Sequence, residues 1–165
     1  MLPLTLLAAR KLSSLLVTDD ALAQTIESLA QSAGVAVPPI TSDQVVLSSA
    51  AREIGDREIE FSYPRVCVYS TQMKNTQEEK FRSFSGAIAV AADIWSSGNL
   101  LDDSDQWIHY YVEALTYILR TNRGDWGAGF LFSGIYDVHL QPPKVGGFGY
   151  VELARVTCGL NVSLI

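Results

Sequence analysis

FRSFSGAIAVAADIWSSGNLLDDSDQWIHYYVEALTYILRT, residues 81–121, is the stretch whose reading decides the fold. In its first part Gly86, Ile88, Val90, Ala92 and Ile94 share one parity, and Ser85, Ala87, Ala89, Ala91 and Asp93 share the other. Alanine content alone would also allow a helix, but the period of two favours a strand through Val90. The second part changes period. Ile108, Tyr111, Val112, Leu115, Ile118 and Leu119 fall three and four apart, the stripe of an amphipathic helix ending near Thr121. Asp102 or Asp103 is the candidate N-cap, Arg120 and Arg123 complement the negative C-terminal end, and Gly124 closes it.

Outward from this pair, residues 57–164 read strand, long loop, strand, helix, strand, loop, strand. Residues 58–70 alternate through Ile59, Phe61 and Tyr63, then Val66, Val68 and Ser70. Pro64 removes a ladder donor, which favours an edge position or a bulge. The polar run 71–80 is either a long hairpin loop or an extension of its two strands. Residues 130–141 and 149–164 form a second pair of strands, joined by a wide turn at 142–148 rich in Pro and Gly.

Towards the N-terminus, Leu4, Leu7, Ala8, Leu12, Leu15 and Leu16 give one greasy helical face. Thr18-Asp19-Asp20 reads as the start of a second helix with Thr18 as its cap, buried through Leu22, Ile26, Leu29 and Ala33 and ended by Gly34. A single helix bent at residues 17–20 is the alternative. Residues 35–56 have no clear period; Pro38-Pro39 excludes helix, and Val45, Val46 and Leu47 suit a short strand. The expected architecture is one α+β domain over residues 1–165, in the order α-α-β-β-α-β-β. It has an antiparallel or mixed sheet of about four strands, the central helix on one face, and an N-terminal helical pair.

The 165 residues suit one domain that buries roughly 70% of its unfolded surface. A net charge of −6 argues against general nucleic-acid affinity, which needs clustered Lys and Arg. Cys67 and Cys158 lie far apart in apolar runs without metal-ligand spacing, and read as buried reduced thiols. Leu2 to Ala9 is apolar, but Arg10 and Lys11 follow that run instead of preceding it, unlike a secretory signal. No run reaches the roughly 18 apolar residues of a membrane span. A cytoplasmic product is expected.

Catalytic signatures are missing. There is no Gly-x-Ser-x-Gly elbow and no phosphate loop, and Gly146-Gly147-Phe148-Gly149 joins two strands and precedes no helix. His109 and His139 are the only groups with an ordinary pKa near neutrality, and neither has a companion at metal spacing. Asp102, Asp103 and Asp105 could hold a hard cation, but helix capping explains them more simply. Glu78 and Glu79 read as solvated loop charges. Of the aromatic residues, Trp95 and Trp126 sit at element ends, where core packing and a contact surface are equally compatible. No enzymatic site, cofactor or metal is expected.

Several landmarks resemble the tail-terminator (head–tail joining, tail-completion) proteins of tailed bacteriophages. They are the Tyr63-Pro64-Arg65-Val66 strand, the polar loop into Phe81-Arg82-Ser83-Phe84-Ser85-Gly86, and the helix Tyr111-Val112-Glu113-Ala114-Leu115. Gly134-Ile135-Tyr136-Asp137-Val138 and Gly149-Tyr150-Val151-Glu152-Leu153-Ala154 follow. The resemblance implies a virion protein made in the host cytoplasm. It would form a homomeric ring, usually a hexamer, that caps the tail tube and joins it to a neck or head-completion protein, with DNA passing through unbound and no membrane involved. Two loops are the candidate arms: Thr71, Gln72, Met73, Lys74, Asn75, Glu78, Glu79 and Lys80 in one, and Pro142, Pro143, Lys144, Val145 and Phe148 in the other. Alternatives are a neck stopper or adaptor, or a small-ligand-binding α+β domain of non-viral origin.

Overall fold

The chain's long strands pair in an order that does not follow the sequence. In the computed structural model, which describes residues 2–48, 62–98, 101–146 and 149–165, the elements are helices α1 (Leu4–Val17) and α2 (Ala21–Ala33), strands β1 (Val45–Val46), β2 (Arg65–Asn75) and β3 (Phe84–Gly98), helix α3 (Leu101–Thr121), and strands β4 (Gly124–Asp125), β5 (Phe130–Leu140), β6 (Lys144–Gly146) and β7 (Gly149–Leu164). The sheet order is β1-β2-β3-β7-β5-β4, with β6 on β7. Only β1–β2 is parallel, so the sheet is mixed. The last strand thus lies at the centre, between β3 and β5.

The α+β class and the order of the long elements are as expected. The strand count is corrected from about four to seven among the described residues, because β1, β4 and β6 are two- or three-residue pieces too short to carry a period. Boundaries move as well. The first long strand runs from Arg65 through Asn75, so the polar run is half strand; residues 58–61 lie outside the described residues. Its partner starts at Phe84 and reaches Gly98, while Phe81 sits in the turn at φ 67° and 99% exposed.

Parity then places the core. Ile88, Val90, Ala92 and Ile94 of β3 and Ala154, Val156, Cys158, Leu160 and Val162 of β7 face the helices. Ile108, Tyr111, Leu115, Ile118 and Leu119 of α3 cover them, each full burial contributing about 1.5–3 kcal/mol. Ala8, Ala9, Leu12 and Leu16 of α1 and Leu22 and Ile26 of α2 join the same core, so the N-terminal pair packs on the sheet. A smaller cluster of Cys67, Trp95 and Leu153 occupies the opposite face. Both cysteines are buried and unbridged, and burial pushes the Cys158 thiol up to about 12. Among the described residues no helix is long and apolar enough to cross a membrane.

Three local expectations fail for identifiable reasons. Thr18 does not cap α2; Asp19 and Asp20 both adopt left-handed backbone, which short polar side chains tolerate, and the chain breaks there instead of bending. Asp20 Oδ1 accepts a 2.7 Å hydrogen bond from Ser42 Oγ, tying the break to the following loop. Ala33 is exposed, and Ala30 takes its place in the stripe. Asp102 and Asp103 fall inside the first turn of α3, which already begins at Leu101. Gly34 ends α2 as expected, at φ 69°. The aperiodic segment after it is anchored to α3: Tyr111 Oη donates to the Pro38 carbonyl (2.8 Å) and Trp107 Nε1 to that of Ala36 (3.2 Å).

Candidate functional site

The β2–β3 hairpin carries the first set of candidate residues. Thr71, Gln72, Met73, Lys74 and Asn75 are exposed on the outer half of β2, beyond a bulge after Ser70, and most pair with Gly86–Ala89 of β3. Glu78, Glu79 and Lys80 lie in the turn that follows, all exposed. That turn is held by short bonds. Thr76 and Gln77 N–H groups donate to the Ser85 carbonyl (2.8 and 3.0 Å), and Ser83 N–H donates to that of Leu164 (2.9 Å). Glu79 is not a freely solvated charge: Arg82 Nε (3.0 Å) and Ser163 Oγ (2.9 Å) both donate to its Oε2. The expected ten-residue arm is therefore a strand extension plus a pinned turn.

Pro142, Pro143 and Lys144 of the second loop are exposed. Val145, expected in a wide turn, belongs to β6 and pairs with Tyr150; Phe148 lies outside the described residues. The structure does not bring the two loops together. On the β3–β7 ladder Phe84 pairs with Leu164 at the hairpin end and Gly98 with Tyr150 at the other. Fourteen steps of about 3.3 Å put the two loops on the order of 45 Å apart along the strands.

Two features take their meaning only from the fold. The first is the outer edge of β5. Only Gly124 and Asp125 pair with it, opposite Phe132 and Leu131, so beyond Phe132 it has no strand partner on that side among the described residues. This edge carries exposed Leu131, Ile135 (73%), Val138 and Leu140, with exposed Asp137 and His139 among them. Among the described residues β2 likewise has no strand partner on its outer side beyond Cys67, where β1 ends. An edge with apolar side chains is a template for another chain unless covered or charged.

The second is a polar hole in the core. Glu152 is 3% exposed, on the helix-covered face of β7, and among the described residues neither carboxylate oxygen has a hydrogen-bond partner. A cavity of about 240 Å³ lies beside it, lined by Asp105, Ile108 and His109 of α3 and by Leu140, Gln141, Pro142 and Pro143. Burial, then the Asp105 charge, raises the Glu152 pKa, and His109 opposes that shift. The only available signal was parity: Glu152 shares its face with Ala154, Val156 and Cys158. With the pKa raised in the folded state, the folded chain binds a proton more readily than the unfolded one. Stability from this group is thus fully present below the ordinary glutamate range and lost as pH rises through the folded-state value. Glu152→Gln should raise the midpoint of thermal unfolding of dilute protein at pH 7 by about 3 °C, for roughly 1 kcal/mol of relieved charge burial. Scanning pH with both proteins checks this, and the difference should vanish at pH 4 and below.

On the other face, Asp93 is buried and its carboxylate accepts from Arg155 Nε (2.7 Å), Arg155 Nη2 (2.9 Å) and Tyr69 Oη (2.8 Å). Burial, then the Asp93 bond, pushes the Tyr69 phenol up to about 12. His139 lies opposite Arg155 in the ladder and is exposed. Among the described residues no three His, Cys, Asp or Glu side chains gather in metal-binding geometry. Of the two tryptophans left open between core and contact surface, Trp95 is buried and Trp126 is half-buried against the core. Trp95 packs with Cys67 and Leu153; Trp126 lies 5.1 Å from Phe132 and donates Nε1 to the Asn122 carbonyl (2.6 Å). No protein-family model matches the chain, and no curated protein matches it in sequence.

Proposed function

We propose that this chain is a structural assembly protein that closes into a homomeric ring, as its resemblance to phage tail terminators implies. In that role it would cap a tail tube and join it to a neck protein. The observation that carries the reading is the outer edge of β5, unpaired among the described residues beyond Phe132 and exposing Ile135, Val138 and Leu140. A second edge, on β2 and unpaired beyond Cys67 among the described residues, lies at the other side of the same sheet. Two different edges on one sheet allow head-to-tail contacts, and such contacts close into rings when the rotation permits. The net charge of −6 suits a channel through which DNA slides without sticking.

A charge on the β5 edge tests this. Ile135→Lys combined with Val138→Lys should leave a folded monomer, because both side chains are exposed, and should weaken self-association at least tenfold. Sedimentation across a concentration series checks it. Unchanged association would remove β5 from the interface.

A second reading, a small-ligand-binding domain, is favoured by one observation. A groove of about 620 Å³ runs between α2 and residues 35–39, with Ala30, Val35, Val37, Pro38 and Trp107 in its walls. That volume is in the range of ligand sites. A thermal-shift screen giving a hit that Trp107→Ala abolishes would support it.

A further inference from the structure

The hole around Glu152 holds more than one orphan. Ser96 pairs with Glu152 in the β3–β7 ladder, is also buried, and its Oγ has no hydrogen-bond partner among the described residues either. A buried carboxylate without a partner is among the costlier features a fold can keep, because it has lost water and gained nothing. The adjoining cavity shows what would complete it. Asp105 adds a second carboxylate at the rim, while Leu140, Pro142 and Pro143 form apolar walls. Paired acids at the end of an apolar sleeve suit an ammonium group on an aliphatic stem. At about 240 Å³ the cavity is below the usual size of small-molecule sites, and it fits one side chain.

We propose that this cavity receives a lysine side chain from a second copy of the chain, supplied by the β2–β3 hairpin. The inference rests on the assembly reading and gives it a specific contact. Lys74 and Lys80 are exposed on that hairpin and make no ion pair among the described residues, whereas Arg82 is engaged by Glu79. The hairpin is at the opposite end of the β3–β7 ladder from Glu152, so a chain cannot fill its own cavity. The contact must be intermolecular and between two different patches of the chain; repeated head to tail it builds a ring or filament, whereas made reciprocally it gives a two-fold dimer, and the assembly reading requires the first. Leu140 belongs both to the cavity wall and to the exposed β5 edge, which makes the site continuous with the proposed interface.

The test is a double-mutant cycle on self-association by sedimentation, using Glu152→Gln and the Lys74→Met, Lys80→Met pair. Each alone should weaken association at least tenfold, and together they should do little more than either alone. Association unchanged by Glu152→Gln, or losses that simply multiply, would overturn the lysine contact while leaving assembly itself intact. A wild-type chain that stays monomeric would defeat the assembly reading and the second copy with it. n-Butylamine separates that failure from failure of the cavity. If it shifts the His109 and Leu140 resonances of the wild type but not of Glu152→Gln, with neutral butanol inert in both, the cation site stands. If the wild type does not respond, the site falls too.

Discussion

Replacing Arg155 by methionine should lower the unfolding free energy by about 3 kcal/mol, whereas Asp93→Asn should cost nearer 1 kcal/mol. The two sides of this ion pair are not equivalent. The Asp93 side chain is 2% exposed and that of Arg155 is 38% exposed. Without Arg155, a buried carboxylate keeps only the Tyr69 hydroxyl. With Asp93 neutralised, the guanidinium can turn towards water, and the amide oxygen still accepts a hydrogen bond. The upper end of the range for broken buried pairs is not reached, because Arg155 is partly solvated already. Urea unfolding with an unchanged m-value would measure both effects. Equal costs, or a larger one for Asp93→Asn, would show that the pair is governed by something other than burial of the acid.

Gly129→Ala should be as damaging, at about 3 kcal/mol, and for reasons of backbone alone. Gly129 has φ 81°, a region that costs an L-residue about 1–2 kcal/mol. A Cβ there would stand 2.2 Å from the Ser163 carbonyl oxygen. That contact cannot relax cheaply, because the Ser163 N–H donates to the Gly129 carbonyl at 2.9 Å and holds the two segments together. Moving them apart disturbs the end of the β5–β7 ladder, where Phe130 pairs with Val162. Gly159→Ala is the internal control. A Cβ on Gly159 meets nothing within 4 Å, so that substitution should be close to neutral. If thermal unfolding moved equally for both, the close approach at Gly129 would not be what matters.

What was legible in the sequence follows from how local each signal is. β7 spans Gly149–Leu164, as its alternation indicates, and α3 ends at Thr121, as its stripe indicates. Both are written in the spacing of neighbouring residues. Strand neighbours are not. β7 inserts between β3 and β5, and only that placement leaves the far sides of β5 and β2 as edges. Polarity marks 71–80 as exposed and Pro and Gly mark 142–148 as a turn; neither signal carries distance, and the two loops lie at opposite ends of one ladder. Ile135, Val138 and Leu140 read as ordinary strand residues because apolar side chains on a strand normally face a core. Here α3 covers β3 and β7 and leaves them bare. Trp126 sits at an element end beside glycines, a position compatible with core or surface, and its ring packs on Phe132. Glu152 left a trace, an acid on an apolar face, whose meaning needed the helix packed over it.

These positions share one logic. The side of the sheet holding α1, α2 and α3 is well packed, and the features without partners gather at its margins: the β5 edge, the outer half of β2 and the hole at Glu152. Association with further copies would satisfy all three at once.

Light scattering with negative-stain microscopy, on purified protein over a concentration series, tests that association most directly. The account predicts closed rings with a central hole wide enough for duplex DNA, lost in the Ile135→Lys, Val138→Lys variant. A strict monomer at every concentration, or a two-fold dimer that grows no further, would contradict it.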